Sequence, residues 1–83
     1  MNEEIREILA EVADLNVPIA SLHDRDDLYA AGLSSMSTIG LMLAIEGRFT
    51  IEFPDEMVTR GLFKSIDALA RAVAMVQRDS KEV

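Results

Sequence analysis

Apolar side chains recur at the spacing of one helix face in three stretches of this chain, separated by segments that contain proline and glycine. One set lies near the N-terminus, one in the middle and one near the C-terminus. In order, the sets are Ile5, Ile8, Leu9, Val12 and Leu15; Leu41, Met42, Ile45 and Phe49; and Ile66, Leu69, Ala70, Val73 and Val76. Spacing of this kind indicates amphipathic helices with one buried face. We therefore expect an all-α fold.

The first helix is expected to end near residues 16–17, because Pro18 follows and disfavours a helical residue before it. Residues 16–34 then form a long surface connection with room for one short helical turn. Four aliphatic side chains are expected to anchor this loop to the core: Ile19, Leu22, Leu28 and Leu33. Loops of this length are uncommon in compact domains and are often functional.

Serines and a proline predict the remaining helix boundaries. The second helix is expected to run from the serines at 34–37 to about Phe49. A short third helix is expected from Pro54 or Asp55 to near Gly61. A fourth helix begins at the cap Ser65 and leads into a polar, frayed tail from about residue 78. The prediction is an all-α, four-helix bundle with a long first loop and a short third helix. With only 83 residues, the chain is expected to form a single domain over 1–83 with a thin core.

Charge and composition exclude several classes of function. The chain holds 15 acidic against 8 basic residues, for a net charge of −7, which disfavours binding to nucleic acid or to an anionic membrane and favours partners with basic patches. Cysteine is absent, so any thiol must be imported. The N-terminus lacks a signal-peptide layout, and no apolar run reaches the roughly 18 residues of a membrane span. A cytoplasmic protein is expected.

No set of residues predicts catalysis or metal binding. A serine nucleophile needs a base and a group that orients it, and the only histidine, His23, lies in an acidic loop and is expected to be an ordinary exposed residue. A calcium loop starting at Asp24 would need glycine where Tyr29 stands and glutamate where Ser35 stands. We expect the aspartates at 24, 26 and 27 to form turns and solvated surface.

The second helix has two apolar faces. Besides its core-facing set, it carries a second stripe formed by Met36, Ile39 and Leu43, with Gly40 and Gly47 nearby. In so small a bundle one of these faces is expected to be exposed and available for contact with another surface. The alternative is that the glycines are merely tolerated there.

Ser35 stands at the N-terminus of that helix, directly before the second stripe. A phosphate on this serine would be stabilised by free backbone N–H groups and the helix dipole. The residues alone also allow a plain helix-capping serine at this position.

The segment from Asp27 to Ser37, with the sequence DLYAAGLSSMS, resembles the phosphopantetheine attachment segment of acyl and peptidyl carrier proteins. FTIEFPD at 49–55 and FKSIDAL at 63–69 resemble the segments that follow the second helix and enter the last helix in that family. The resemblance implies a four-helix bundle in which a phosphopantetheinyl transferase modifies Ser35 with 4'-phosphopantetheine from coenzyme A. It also implies that cargo is bound as a thioester to the thiol of this arm.

Two residues depart from the usual attachment motif, because Ser34 replaces aspartate and Met36 replaces leucine. Ser34 can still cap the helix and methionine is a flexible apolar substitute, so modification of Ser35 is expected to survive. The second helix has a single acidic residue, Glu46, whose charge is balanced by Arg48, whereas bacterial fatty-acid carriers usually have several acidic residues there. Docking to fatty-acid enzymes is therefore expected to be poor.

Within the family, the chain is most similar to stand-alone bacterial aminoacyl carrier proteins, whose partners are amino acid:carrier-protein ligases related to class II aminoacyl-tRNA synthetases. This narrower resemblance implies a small amino acid as cargo, such as glycine or alanine, and a further enzyme that accepts it. The expected docking residues are Ser34, Met36, Ile39, Gly40 and Leu43. A monomer is expected, and the alternatives are an acyl carrier of a specialised fatty-acid or polyketide pathway and an unmodified helical interaction module.

Overall fold

The computed structural model describes the backbone of residues 1–81 and the side chains of residues 1–79. Three α-helices form the framework: α1 (Asn2–Val12), α2 (Ser35–Phe49) and α3 (Ile66–Lys81). Three short 3-10 helices lie between them, at Ile19–Ser21, Asp55–Met57 and Arg60–Phe63. The predicted all-α class is confirmed.

The region of the predicted short third helix contains two 3-10 helices, Asp55–Met57 and Arg60–Phe63, and no α-helix. The chain leaves helical geometry between them, because Thr59 is extended at φ −124° and ψ 171°. Val58 and Thr59 are both β-branched, and such residues lose side-chain freedom in a helix. The described residues therefore contain three α-helices where the sequence predicts four.

The first helix is shorter than predicted, ending at Val12 and not near residues 16–17. Ala13 is already extended, and the backbone N–H of Asn16 donates to the carbonyl oxygen of Ala31 at 2.7 Å. A long-range backbone hydrogen bond thus replaces the last predicted turn. The long loop itself is confirmed, since it contains one 3-10 turn and its leucines at 22, 28 and 33 are buried, while Ile19 packs partly buried against the core.

A single hydrophobic core joins all three α-helices and the first loop. Its fully buried large side chains are Ile5, Leu9, Leu28, Leu41, Ile45, Ile66, Leu69 and Val73. Burying an aliphatic side chain of this size contributes roughly 1.5–3 kcal/mol. The helix α1 contacts both α2 and α3, so the thin core is built around it.

The start of α3 agrees with the prediction, whereas its end lies further along the chain. The hydroxyl of Ser65 accepts a hydrogen bond from the backbone N–H of Ala68 at 3.0 Å, as a capping serine does. The helix continues through Lys81, past the polar, frayed tail expected from about residue 78. Residues 82 and 83 of that tail lie outside the described residues.

A polar cluster around Asp24 connects α1, the first loop and α3. The carboxylate of Asp24 accepts hydrogen bonds from Arg6 at 2.7 Å and from Asn2 at 2.9 Å, both in α1. The carbonyl oxygen of Asp24 accepts from the backbone N–H of Asp67, in the first turn of α3, at 2.8 Å. The hydrogen bond from Arg6, and then that from Asn2, hold the pKa of Asp24 below its ordinary value.

Replacing Asp24 with asparagine is expected to destabilise the protein at neutral pH but not in strong acid. A carboxylate whose pKa is lowered by folding stabilises the folded state above its unfolded pKa, and this contribution is lost as the pH falls through the folded pKa. The two proteins should therefore differ in urea unfolding at neutral pH and converge well below pH 3.8, the ordinary pKa of this group. Asp14→Asn removes the same charge from an exposed site and serves as the control. A difference between Asp24→Asn and the wild type that persists in acid would contradict this prediction.

Candidate functional site

Three serines at the start of α2 play different structural roles. Ser34 is the N-cap, with φ −94° and ψ 162°, and its Oγ accepts a hydrogen bond from the backbone N–H of Ser37 at 3.1 Å. The hydroxyl of Ser34 also donates to the hydroxyl of Ser37 at 3.0 Å. The side chains of Ser34 and Ser37 are therefore occupied with each other and with the helix end, as expected for a helix-capping serine.

Ser35 is the first residue of α2, and its side chain is exposed. Its carbonyl oxygen accepts a hydrogen bond from the hydroxyl of Thr38 at 2.6 Å, but its own hydroxyl has no hydrogen-bond partner among the residues that the structure describes. A group attached to this hydroxyl would lie at the positive end of a 15-residue helix, where an anion is stabilised. The local geometry therefore fits a covalently attached phosphate at Ser35 in preference to its serine neighbours.

Gly32 turns the chain so that it enters α2 at the surface. Its φ of +110° lies in a region that side chains rarely adopt. A Cβ on Gly32 would lie 2.8 Å from Nδ2 of Asn16, so the turn also allows a close approach to the opposite side of the loop. The next residue, Leu33, is buried and anchors the turn. Gly32 and Leu33 thus bring Ser34 and Ser35 out of the core.

The second apolar stripe of α2 faces solvent, as predicted. Met36 is 85% exposed, and Ile39 and Leu43 are each 60% exposed. A Cβ on Gly40 or on Gly47 would meet no atom within 4 Å, so neither glycine is required by packing within the chain. On the opposite side, Leu41 and Ile45 are fully buried. One helix therefore serves the core and presents an apolar surface beside Ser35.

The charged residues of α2 do not pair with each other as the sequence suggested. The carboxylate of Glu46 accepts a hydrogen bond from the backbone N–H of Phe53 at 2.8 Å. Arg48 instead lies 3.4 Å from Glu4 and 3.3 Å from Glu7, both on α1. Both charges of α2 are thus used within the domain, and the exposed stripe is apolar.

Ser35 lines an open groove of about 290 Å³. Its walls are formed by α2, the first loop and the 3-10 helix Arg60–Phe63, through the residues Tyr29, Ser35, Thr38, Val58, Thr59, Arg60 and Phe63. The guanidinium carbon of Arg60 lies 3.9 Å from the centre of the Tyr29 ring, and the Tyr29 hydroxyl donates to the carbonyl oxygen of Arg60 at 2.9 Å. No local pattern in the sequence predicts this pair, because the two residues are 31 positions apart.

The remaining candidates behave as ordinary surface. His23 is exposed, and its backbone N–H is bound by the carboxylate of Asp26 at 2.8 Å. Asp27 accepts hydrogen bonds from the backbone N–H groups of Tyr29 and Ala30 at 2.9 and 3.3 Å, which confirms the turn predicted there. Asp24 differs from the prediction, because its carboxylate binds Arg6 and Asn2 of α1 and is not simply solvated. Across the described part of the chain, no group of three or more histidine or acidic side chains is arranged to hold a metal ion. Within the same residues, every helix is too short or too polar to cross a membrane.

The chain matches a known protein family over most of its length. Residues 3–73 match the family described as the phosphopantetheine attachment site. The chain therefore belongs to the phosphopantetheine attachment-site family, whose prosthetic group is covalently attached 4'-phosphopantetheine. The free, exposed hydroxyl of Ser35 and the open groove beside it fit such a group.

Within the family, the chain is a homologue of aminoacyl carrier proteins. It is 49% identical to the aminoacyl carrier protein of Agrobacterium fabrum over 82 residues, which are 99% of this chain and 98% of the relative. It also matches a carrier protein from Agrobacterium tumefaciens solved with an engineered Bradyrhizobium japonicum glycine:carrier protein ligase and ATP, with a TM-score of 0.87, 48% identity and coverage of 90% and 97% of the two chains.

A more distant match is a glycylated carrier protein solved with the Bradyrhizobium japonicum glycine:carrier protein ligase. The TM-score is 0.73 and the identity 28%, over 86% of this chain and 95% of that one. The solved relatives thus include carrier proteins in complex with a glycine:carrier protein ligase, one of them glycylated.

Gly32→Ala is expected to destabilise the protein by roughly 1–3 kcal/mol, the cost of holding a side chain in a sparsely populated backbone region. Contact of the new Cβ with Asn16, at 2.8 Å, adds to that cost. Gly61→Ala is the matched control, because its Cβ would make only an ordinary 3.7 Å contact with Thr59. Urea unfolding of the two variants measures the difference, and equal stabilities would contradict the role assigned to Gly32.

Proposed function

We propose that this protein carries an amino acid, bound as a thioester to a 4'-phosphopantetheine arm on the hydroxyl of Ser35. The observation that carries the proposal is the division of roles among the serines. Ser34 and Ser37 bind each other and the helix end, while the Ser35 hydroxyl is exposed and has no partner among the described residues. Membership of the phosphopantetheine attachment-site family and the likeness to aminoacyl carrier proteins support the same conclusion.

The chain acts as a substrate and not as an enzyme in this proposal. Nothing in the described structure accepts the proton of the Ser35 hydroxyl, so a phosphopantetheinyl transferase must supply the base that activates it. The arm supplies the thiol that the cysteine-free chain lacks. The residues of the chain hold the attachment point at the surface and present the arm to each partner in turn.

We treat residues 1–83 as one carrier domain, because one core joins the described helices and the first loop. In this proposal the two 3-10 helices between α2 and α3 together occupy the place of the short third helix of a four-helix bundle. A cytoplasmic monomer fits a carrier that must meet a transferase, a ligase and a downstream acceptor in succession.

Intact mass after incubation with coenzyme A and a broad-specificity phosphopantetheinyl transferase tests the attachment site. We expect the wild type and Ser37→Ala to gain one phosphopantetheinyl unit, because Ser37 only contacts the cap. Ser35→Ala should gain none. If Ser35→Ala is modified, the attachment site is a different residue. If the wild type is not modified, the carrier proposal is wrong and the protein is an unmodified helical interaction module.

The exposed stripe of α2 is the proposed docking surface for the loading ligase. It consists of Ser34, Met36, Ile39, Gly40 and Leu43, all of them exposed. Apolar side chains flanking a bare glycine backbone allow a close approach by a second helix or loop. The proposal is supported by the relatives solved with glycine:carrier protein ligase, and the glycylated one favours a small amino acid such as glycine as cargo.

Gly40→Glu is expected to reduce loading by the glycine:carrier protein ligase of Bradyrhizobium japonicum at least about tenfold, which corresponds to about 1.4 kcal/mol of lost binding. An unpaired carboxylate would be buried at the interface, and burying such a charge is costly. The fold should be retained, because a Cβ at Gly40 meets no neighbour within 4 Å. The rate of glycyl thioester formation on the modified carrier is the measurement.

Ala74→Glu is the control, since it adds the same charge at an exposed position of α3. It should be loaded like the wild type. Equal loading of Gly40→Glu and Ala74→Glu by the ligase would rule out docking through this stripe. If an acyl-activating enzyme loads the two proteins in preference to the ligase, the acyl carrier alternative is favoured.

A further inference from the structure

Arg60 is placed in an unusual way for an arginine in an acidic protein. Three arginines, at positions 6, 48 and 71, form ion pairs within the described residues, and Arg60 is not among them. Its guanidinium lies instead over the ring of Tyr29, 3.9 Å from the centroid. A planar cation gains from such stacking, but its positive charge is not neutralised by it. Arg60 is therefore held over Tyr29, and none of the described residues accepts a hydrogen bond from its guanidinium.

The same arginine lines the groove that contains Ser35, and among the described residues that line this groove it is the only charged side chain. The other walls provide apolar contacts from Val58 and Phe63 and hydroxyl groups from Thr38 and Thr59. A groove lined by one cation, one attachment hydroxyl and a mixture of apolar and polar side chains suits a chain that begins with a phosphate and continues through apolar and amide groups.

The geometry points to Arg60 as the residue that binds the phosphodiester of the arm and directs the arm into this groove. The inference rests on the attachment to Ser35 proposed above and adds a positioning residue on a different element. The phosphate would then have two sources of stabilisation, the N-terminal end of α2 and the guanidinium of Arg60. Guanidinium groups bind phosphate oxygens through two parallel hydrogen bonds, which fix orientation as well as position.

Tyr29 is the support for this contact. Its hydroxyl binds the carbonyl oxygen of Arg60 at 2.9 Å while its ring faces the guanidinium, so one side chain holds both the backbone and the head group of the arginine. Tyr29 itself follows the Asp27 turn, whose carboxylate accepts from the backbone N–H of Tyr29 at 2.9 Å. The loop that leads to Ser35 and the 3-10 helix that carries Arg60 are thus connected by two residues that line the groove.

The test compares apo and phosphopantetheinylated protein by nuclear magnetic resonance, with intact mass confirming the modification. Attachment of the arm is expected to shift the side-chain Nε–Hε resonance of Arg60 and to leave that of Arg71 unchanged, since Arg71 pairs with Asp67 on α3 at 3.1 Å. The ³¹P resonance of the modified protein should change in Arg60→Gln and stay at the wild-type position in the matched control Arg71→Gln. Salt should reduce the difference between Arg60→Gln and the wild type, because the contact lies at the surface.

Arg60→Lys distinguishes a planar clamp from charge alone. Lysine keeps the positive charge but can neither stack as a planar group nor donate two parallel hydrogen bonds. The ³¹P resonance of the modified Arg60→Lys protein is therefore expected to lie between those of the wild type and Arg60→Gln. The inference would be overturned if the protein is fully modified, the Arg60 resonance does not change, and Arg60→Gln gives the same ³¹P signal as the wild type. That result would leave the carrier function intact. A wild-type protein that gains no mass would overturn both.

Discussion

Burial of Leu28 is the interaction on which the functional end of this domain depends. Its side chain is fully buried in the core, and its backbone N–H donates to the carbonyl oxygen of Lys64 at 2.7 Å, just before α3. The carbonyl oxygen of Leu28 accepts from the backbone N–H of Leu33 at 2.9 Å, just before α2. One residue of the long loop is therefore bonded to the entrances of two helices. Ser35 follows Leu33 by two positions, so its place at the surface is set by this anchor.

The second helix combines two demands that usually conflict. A small domain has little apolar surface to spare for its core, yet α2 buries only Leu41 and Ile45 fully and leaves Met36, Ile39 and Leu43 exposed. The first loop compensates by contributing buried leucines that a shorter connection would not supply. A net charge of −7 opposes self-association of the exposed stripe. The stripe is then available to a partner, which is the use proposed for it.

Predictions from the sequence succeeded where the determining residues are close together in the chain. The cap at Ser34, the cap at Ser65 and the exposed stripe of α2 each follow from side chains within one or two helical turns. The end of α1 was predicted too late, because the hydrogen bond from Asn16 to Ala31 joins two ends of the loop and leaves no local signal. The expected third α-helix was wrong because the β-branched Val58 and Thr59 interrupt it, and the extended Thr59 separates two 3-10 helices.

The all-α class, the start of α2 at the serines and the apolar character of its exposed face follow from local sequence, because capping and periodicity act over a few residues. The partners of the charged groups of α2, and of Arg60, depend on the tertiary structure. Arg48 pairs with Glu7, 41 residues away, and not with Glu46, while Tyr29 contacts Arg60 across 31 residues. Such contacts form only once the core has packed the helices and loop together, so the groove beside Ser35 is a property of the fold and not of any one segment.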